Sequence, residues 1–125
     1  MPKNKTPKQH PEIPPQQGLF NAISLACRAG KLTMGFDATV EACMKGKAWL
    51  VLTTSDISPK TQKRMKETVE DILDVLPMPL TQTDMLMISK KPVAIYAILD
   101  KNFAKLCYDK LELCGTLATK EEMSE

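Results

Sequence analysis

Near the start of the chain, apolar residues recur at intervals of three and four positions, at Leu19, Phe20, Ile23 and Cys27. This spacing predicts an amphipathic helix from residue 17 that ends before Gly30, because glycine readily adopts the backbone conformation that closes a helix. A second short helix is predicted from about 35–37 to Lys45, just before Gly46. Two short helices are therefore expected before the first strong strand.

Two apolar runs without polar alternation, 49–54 and 93–99, are typical of strands that are covered on both faces. Ser58, followed by a proline, predicts the N-cap of a third helix. Residues 77–80 contain two prolines and can form only a short edge strand. Asp100 is expected to cap a last helix.

Strands separated by helical segments require crossover connections, which place helices on both faces of a sheet. We therefore expect an α/β fold, a three-layer α/β/α sandwich with a small mixed sheet. The predicted domain spans 17–113, between a disordered basic, proline-rich leader at 1–16 and an acidic flexible tail at 114–125.

Composition narrows the possible functions of this 125-residue chain. No apolar run approaches the length of a membrane helix, and the first residues lack the apolar centre of a secretion signal, so we expect a cytoplasmic protein without a membrane partner. The four cysteines show no paired spacing, and the single histidine lies in the leader. We therefore expect reduced thiols, no metal, no cofactor and no histidine general base.

An enzyme is difficult to build from the remaining residues, because no phosphate loop or nucleophile elbow is present in the sequence. Asp37 and Glu41 lie four positions apart and would share one helical face as a carboxylate pair. Asp37 at a helix start is more simply interpreted as an N-cap. We expect no catalytic activity.

The net charge is only +2, so the distribution of charge is more informative than the total. The segment from Arg28 to Asp37 places Arg28, Lys31 and two glycines ahead of a helix N-terminus, where backbone N–H groups favour anions. This pattern predicts a phosphate-binding loop. The alternatives are a simple connection and lysines that merely solvate the surface.

Several short motifs, in this order along the chain, resemble a known superfamily. They are Arg-Ala-Gly-Lys at 28–31, Gly35, Lys-Gly-Lys-Ala at 45–48 leading into a strand, Asp56 before Ser-Pro, and Lys-Lys-Pro at 90–92. The chain resembles the kink-turn RNA-binding ribosomal proteins called, in words, L-seven-Ae and L-thirty-e, and most of all the short bacterial YlxQ-like members.

The resemblance implies a non-catalytic, monomeric domain whose partner is structured ribosomal or regulatory RNA, with the ribosome as a further partner. The RNA would contact the second helix's N-terminus and the loop before the last strand, and its shape would dominate recognition. The expected RNA-binding residues are Arg28, Lys31, Gly35, Asp37, Glu41, Lys45, Lys60, Lys90 and Lys91.

The sequence also departs from the superfamily's pattern at the start of the second helix. Aligning Gly35 with the motif Gly-x-Asn-Glu-x-x-Lys puts Asp37, Ala38 and Glu41 at the Asn, Glu and Lys positions. This departure leaves a second interpretation open, in which the fold serves as a protein-interaction adapter. The adapter would bind its partner through the acidic residues of the third helical region, Glu67, Glu70, Asp71 and Asp74.

Overall fold

The structure is a computed structural model that describes residues 13–115. Helices and strands alternate along this part of the chain. Their bounds are α1 Pro15–Arg28, β1 Leu32–Met34, α2 Phe36–Met44, β2 Leu50–Thr53, α3 Pro59–Val69, β3 Val75–Pro77, α4 Leu86–Ser89, β4 Ile95–Ile98 and α5 Lys101–Leu113.

The four strands form one mixed sheet in the order β1-β4-β2-β3. Strand β4 is antiparallel to both β1 and β2, whereas β3 runs parallel to β2. Strands β2 and β4 are buried throughout, as the two non-alternating runs predicted. The sheet therefore has β1 and β3 at its edges and a fully covered centre.

Helices cover both faces of this sheet, so the expected three-layer α/β/α architecture is confirmed. Leu50 and Leu52 of β2 belong to the core cluster that contains residues of α1, α4 and α5. Val51, between them, belongs to the cluster that contains residues of α2 and α3. The alternation of side chains along a strand sends neighbours to opposite faces, which explains why a strand with two covered faces is apolar throughout.

Two helices begin with side-chain N-caps at the residues that the sequence predicted. The Ser58 hydroxyl accepts a hydrogen bond from the Thr61 N–H at 3.1 Å, which caps α3. The Asp100 carboxylate accepts one from the Phe103 N–H at 3.0 Å, which caps α5. Each cap satisfies a backbone donor that has no partner inside the helix.

Three elements of the structure differ from the elements that the sequence predicts. Strand β1 was not predicted, because a three-residue edge strand is too short to leave a pattern and forms only through pairing with β4. Apolar residues at helical spacing, including Ile72 and Leu76, predict a longer third helix, but the helix ends at Val69 and Ile72 is exposed. The edge strand is Val75–Pro77 and not 77–80, since Val75 pairs with Val51.

Helix α1 begins at Pro15, two residues inside the predicted leader, because proline needs no N–H partner at the first helical position. The remainder of the leader up to residue 12, and the tail from 116, lie outside the described residues. All four cysteines are free. No helix in the described range 13–115 is both long and apolar enough to cross a membrane.

Candidate nucleic-acid interface

The N-terminus of α2 and the loop that precedes β4 lie at the same end of the sheet. The Gly35 N–H donates a hydrogen bond to the Ile95 carbonyl at 2.9 Å, which joins the two segments directly. Met34, the last residue of β1, is paired with Tyr96. The topology therefore brings together the two segments that the sequence resemblance assigns to RNA contact.

Gly35 is the N-cap of α2 and has φ +99°, a conformation that residues with a Cβ rarely adopt. Its cap position carries no side-chain hydrogen bond. The N–H groups of the first turn of α2 thus have no capping side chain, and they carry the positive end of the helix dipole. An acceptor from a ligand would find unpaired donors here.

The loop before β4 presents two exposed lysines. The backbone of Lys90 is in the left-handed conformation, with φ +70°. Its N–H donates a hydrogen bond to the Leu86 carbonyl at 2.8 Å, and helix α4 ends there. The buried Ser89 hydroxyl lies 3.1 Å from the Met85 carbonyl and 2.5 Å from the Lys91 carbonyl. This hydroxyl fixes the loop backbone while the Lys90 and Lys91 side chains extend into solvent.

Helix α3 brings further cations to the same end. Lys60 is exposed in its first turn, which follows the loop after β2. One turn later, the Arg64 guanidinium lies over the Phe36 ring, 4.4 Å from its centroid. Phe36 is half-buried and packs against the α2 and α3 core cluster.

Arg64 was not among the predicted site residues, although its spacing of four from Lys60 places both on one side of α3. Nothing in the sequence pattern indicates that this side of the helix faces α2. We call the resulting surface the Gly35 rim. It consists of Gly35, Asp37, Lys60, Arg64, Lys90 and Lys91.

Arg28, Lys31 and Lys45 lie at the other end of the sheet. The Lys31 carbonyl accepts a hydrogen bond from the Leu99 N–H at 2.8 Å, beyond the end of β4 that is far from Gly35. Strand β1 separates Lys31 from Gly35, a distance of about 13 Å for four extended residues. The predicted cations therefore do not share one rim but lie at two ends of the sheet, and their role in RNA binding stays a prediction.

Asp37 is the second residue of α2 and is exposed, so the interpretation of Asp37 as the N-cap is wrong and Gly35 takes that position. Its carboxylate still interacts favourably with the positive end of the helix. The position of a cap depends here on where β1 ends, which the sequence pattern did not reveal.

Glu41 forms an ion pair with Lys45, one turn along α2, at 2.8 Å. The hydrogen bond and positive charge of Lys45, together with the charge of Lys47, lower the pKa of the Glu41 carboxyl. Lys45 is thus engaged with Glu41, at the C-terminal end of α2. An exposed carboxylate held in its ionised form also lacks the raised pKa that a general acid needs.

No family model matches this chain. It is 31% identical to the RNA-binding protein YlxQ of Enterococcus faecium over 98 residues, which are 78% of this chain and 94% of that protein.

Two solved structures share its fold. One is a Bacillus halodurans C protein of unknown function, with a TM-score of 0.68, 22% identity and coverage of 75% of this chain and 96% of the other. The second is the Giardia lamblia 15.5kD RNA binding protein, with a TM-score of 0.62, 15% identity and coverage of 80% and 87%. The sequence identity over most of both chains confirms the resemblance to the YlxQ-like members, and this chain belongs to the YlxQ family.

Proposed function

We propose that this protein is a non-catalytic RNA-binding protein that recognises a sharply bent, kink-turn-like RNA through the Gly35 rim. Two relatives whose names state RNA binding support the class of ligand. The observation that carries the proposal is the hydrogen bond from the Gly35 N–H to the Ile95 carbonyl. That bond holds an uncapped helix start beside the loop of Lys90 and Lys91.

The two parts of the rim favour different features of a bent RNA. The first-turn N–H groups of α2 offer donors to base edges or phosphates, and the absence of a side chain at Gly35 lets the RNA backbone approach closely. Lys60, Arg64, Lys90 and Lys91 supply charge for phosphates. Side chains cannot enter the deep, narrow groove of an RNA helix, so a distorted internal loop provides accessible edges.

Asp37 and Ala38 set the limits of this recognition. The Asp37 carboxylate accepts hydrogen bonds but lacks the amide donor of asparagine, and the Ala38 methyl group cannot accept from a base. Recognition therefore depends more on backbone donors and cations than on side-chain contacts with bases. We also propose that the protein is cytoplasmic and monomeric and that it acts in translation, because the superfamily that it resembles contains ribosomal proteins.

The test is a titration of the full chain against a kink-turn RNA and a straight duplex of equal length, at two salt concentrations. We expect a preference for the kink and an affinity that falls with salt. The double variant Lys90→Glu/Lys91→Glu should reduce the slope of log K against log salt by about 1.4 or more, since each lost phosphate contact removes about 0.7 to 0.9. It should also weaken binding by at least tenfold.

The matched control is Lys66→Glu, which reverses a charge outside the Gly35 rim. Lys66 is exposed and lines the same surface depression as Glu70 and Asp74. This variant should bind like the wild type. Equal binding of the kinked and straight RNAs would reject shape recognition, and unchanged affinity in the double variant would remove the Gly35 rim as the surface. Absence of any RNA binding would favour the adapter with a protein partner.

A further inference from the structure

Trp49 is the single tryptophan of the chain, and it lies at the end of the sheet opposite the Gly35 rim. Half of its surface, 51%, is exposed. The Lys101 ammonium lies over its ring, 6.0 Å from the centroid. An indole left in solvent with a cation over it is unusual for a residue whose only role is packing, because a tryptophan gains most by burial.

Basic residues from three different segments meet at this end. The Trp49 N–H donates to the Ile98 carbonyl, and the Leu99 N–H donates to the Lys31 carbonyl, each at 2.8 Å. Lys31 and Trp49 therefore flank Leu99 across neighbouring strands, with their backbones about 10 Å apart. We call this surface the Trp49 rim. It consists of Arg28, Lys31, Lys45, Lys47, Trp49 and Lys101.

The charge of the Trp49 rim is positive even after its carboxylates are considered. Glu41 is bound to Lys45, and the Asp100 carboxylate accepts the capping hydrogen bond of α5. Arg28, Lys31 and Lys47 are exposed, and the described residues show no ion pair for any of them. These three cations form the available charge beside the indole.

The opposite corner of the same end is acidic. Glu70, Asp71 and Asp74 are exposed between α3 and β3, the edge strand farthest from β1. This arrangement would repel a polyanion from the β3 edge and attract it toward β1 and Trp49. The charge pattern thus favours one side of the molecule for a phosphate backbone.

We propose that the Trp49 rim is a second RNA-contact surface, which stacks one unpaired base on the Trp49 ring while Arg28, Lys31 and Lys47 contact flanking phosphates. An exposed aromatic ring within a cationic surface is the usual means of binding single-stranded nucleic acid, because every base has a face that can stack. The proposal concerns RNA, as the proposed function does, but it rests on residues that the Gly35 rim does not contain.

The single tryptophan provides the direct measurement. Titration of the full chain with a single-stranded RNA of ten adenosines, followed by intrinsic fluorescence, should give a saturable quench as a base stacks on Trp49. In the double variant Lys31→Glu/Lys47→Glu, the affinity for the decamer measured by this quench should fall by tenfold or more. With a fluorescently labelled decamer, Trp49→Ala should bind about fivefold to 150-fold more weakly, the range found for one lost stack. Circular dichroism would confirm that each variant folds.

Three controls make the test specific. Tyr108→Ala removes another exposed aromatic ring, on α5, and should leave decamer binding unchanged. Lys90→Glu/Lys91→Glu should leave the quench unchanged even when kink-turn binding is lost, which separates this proposal from the proposed function. A decaglutamate peptide should quench far less than RNA. The inference is overturned by a decamer that causes no quench, by equal quenching with decaglutamate, or by decamer binding that survives Trp49→Ala.

Discussion

Cys107 is a buried thiol in the cluster between α1, α5 and the sheet. Burial raises its pKa from 9.0 to about 12, because the thiolate would lose its hydration there. The unfolded chain loses this proton at lower pH than the folded chain does. The contribution of Cys107 to stability is therefore complete below pH 9 and is lost as the pH rises from 9 to about 12.

Comparison of the wild type with Cys107→Ala isolates this effect, because other groups titrate in both proteins. The variant should be less stable near neutral pH, by about 1 kcal/mol or more for the lost packing. Between pH 8.5 and 10, the difference in the free energy of unfolding should narrow by about 1 kcal/mol. Urea denaturation at the two pH values measures it. A constant difference would contradict a raised pKa.

Residue roles that depend on nearby sequence could be predicted, and those that depend on distant segments could not. Ser58 and Asp100 were identified as caps because each partner lies three positions away. Asp37 was assigned as a cap by the same reasoning, yet Gly35 is the N-cap because β1 ends directly before it. Arg64 was missed because its partner Phe36 is distant in sequence.

At the scale of elements, the turn between α4 and β4 depends on the buried Ser89 hydroxyl. It lies within hydrogen-bonding distance of the carbonyls of Met85 and Lys91 and supports the left-handed Lys90. Ser89→Ala should lower the free energy of unfolding by about 1 kcal/mol, the usual value of one buried hydrogen bond. The substitution should also lower the affinity for the kink-turn RNA severalfold, because the loop backbone at Lys90 and Lys91 would no longer be held in one conformation.

Ser24→Ala is the matched control for this substitution, since Ser24 lies within α1 and alanine favours a helix. This control should be as stable as the wild type or slightly more stable, with unchanged RNA binding. Thermal denaturation and the kink-turn titration measure both quantities. If Ser89→Ala matches Ser24→Ala in both stability and kink-turn affinity, the Ser89 hydroxyl does not stabilise the loop.

The long elements were predictable because their patterns are local, and the short ones were not. Helix α1 and the buried strands β2 and β4 follow from apolar spacing over several residues. Strand β1 has only three half-buried residues and is defined by its pairing with β4. Because the sequence pattern does not indicate β1, it places Lys31 and Gly35 in one loop.

At the scale of the whole molecule, this short strand decides where the charges lie. The sheet order β1-β4-β2-β3 puts the start of α2 and the loop before β4 at one end, and the end of α1 and the start of β2 at the other. The three-layer architecture was predictable from the alternation of elements. The division of the cations between two rims was not, since it depends on strand order and direction.

The two rims are close enough for one RNA to contact both. Lys31 and Gly35 are separated by about 13 Å along β1. A kink-turn RNA that carries a ten-nucleotide single-stranded extension should therefore bind more tightly than the same RNA without it, because the second contact becomes intramolecular. We expect a gain of at least fivefold in the wild type, measured by competition between the two RNAs at constant salt.

Trp49→Ala should abolish this gain while it leaves the affinity for the unextended RNA unchanged. The double variant Lys90→Glu/Lys91→Glu should bind both RNAs more weakly. The ratio of the two affinities should stay the same, because both substituted residues lie in the Gly35 rim. An extension placed on the other strand terminus serves as the control for length and charge, since electrostatic attraction alone would make both positions equal. Equal affinity of the wild type for the extended and unextended RNAs would show that the two rims do not act on one molecule.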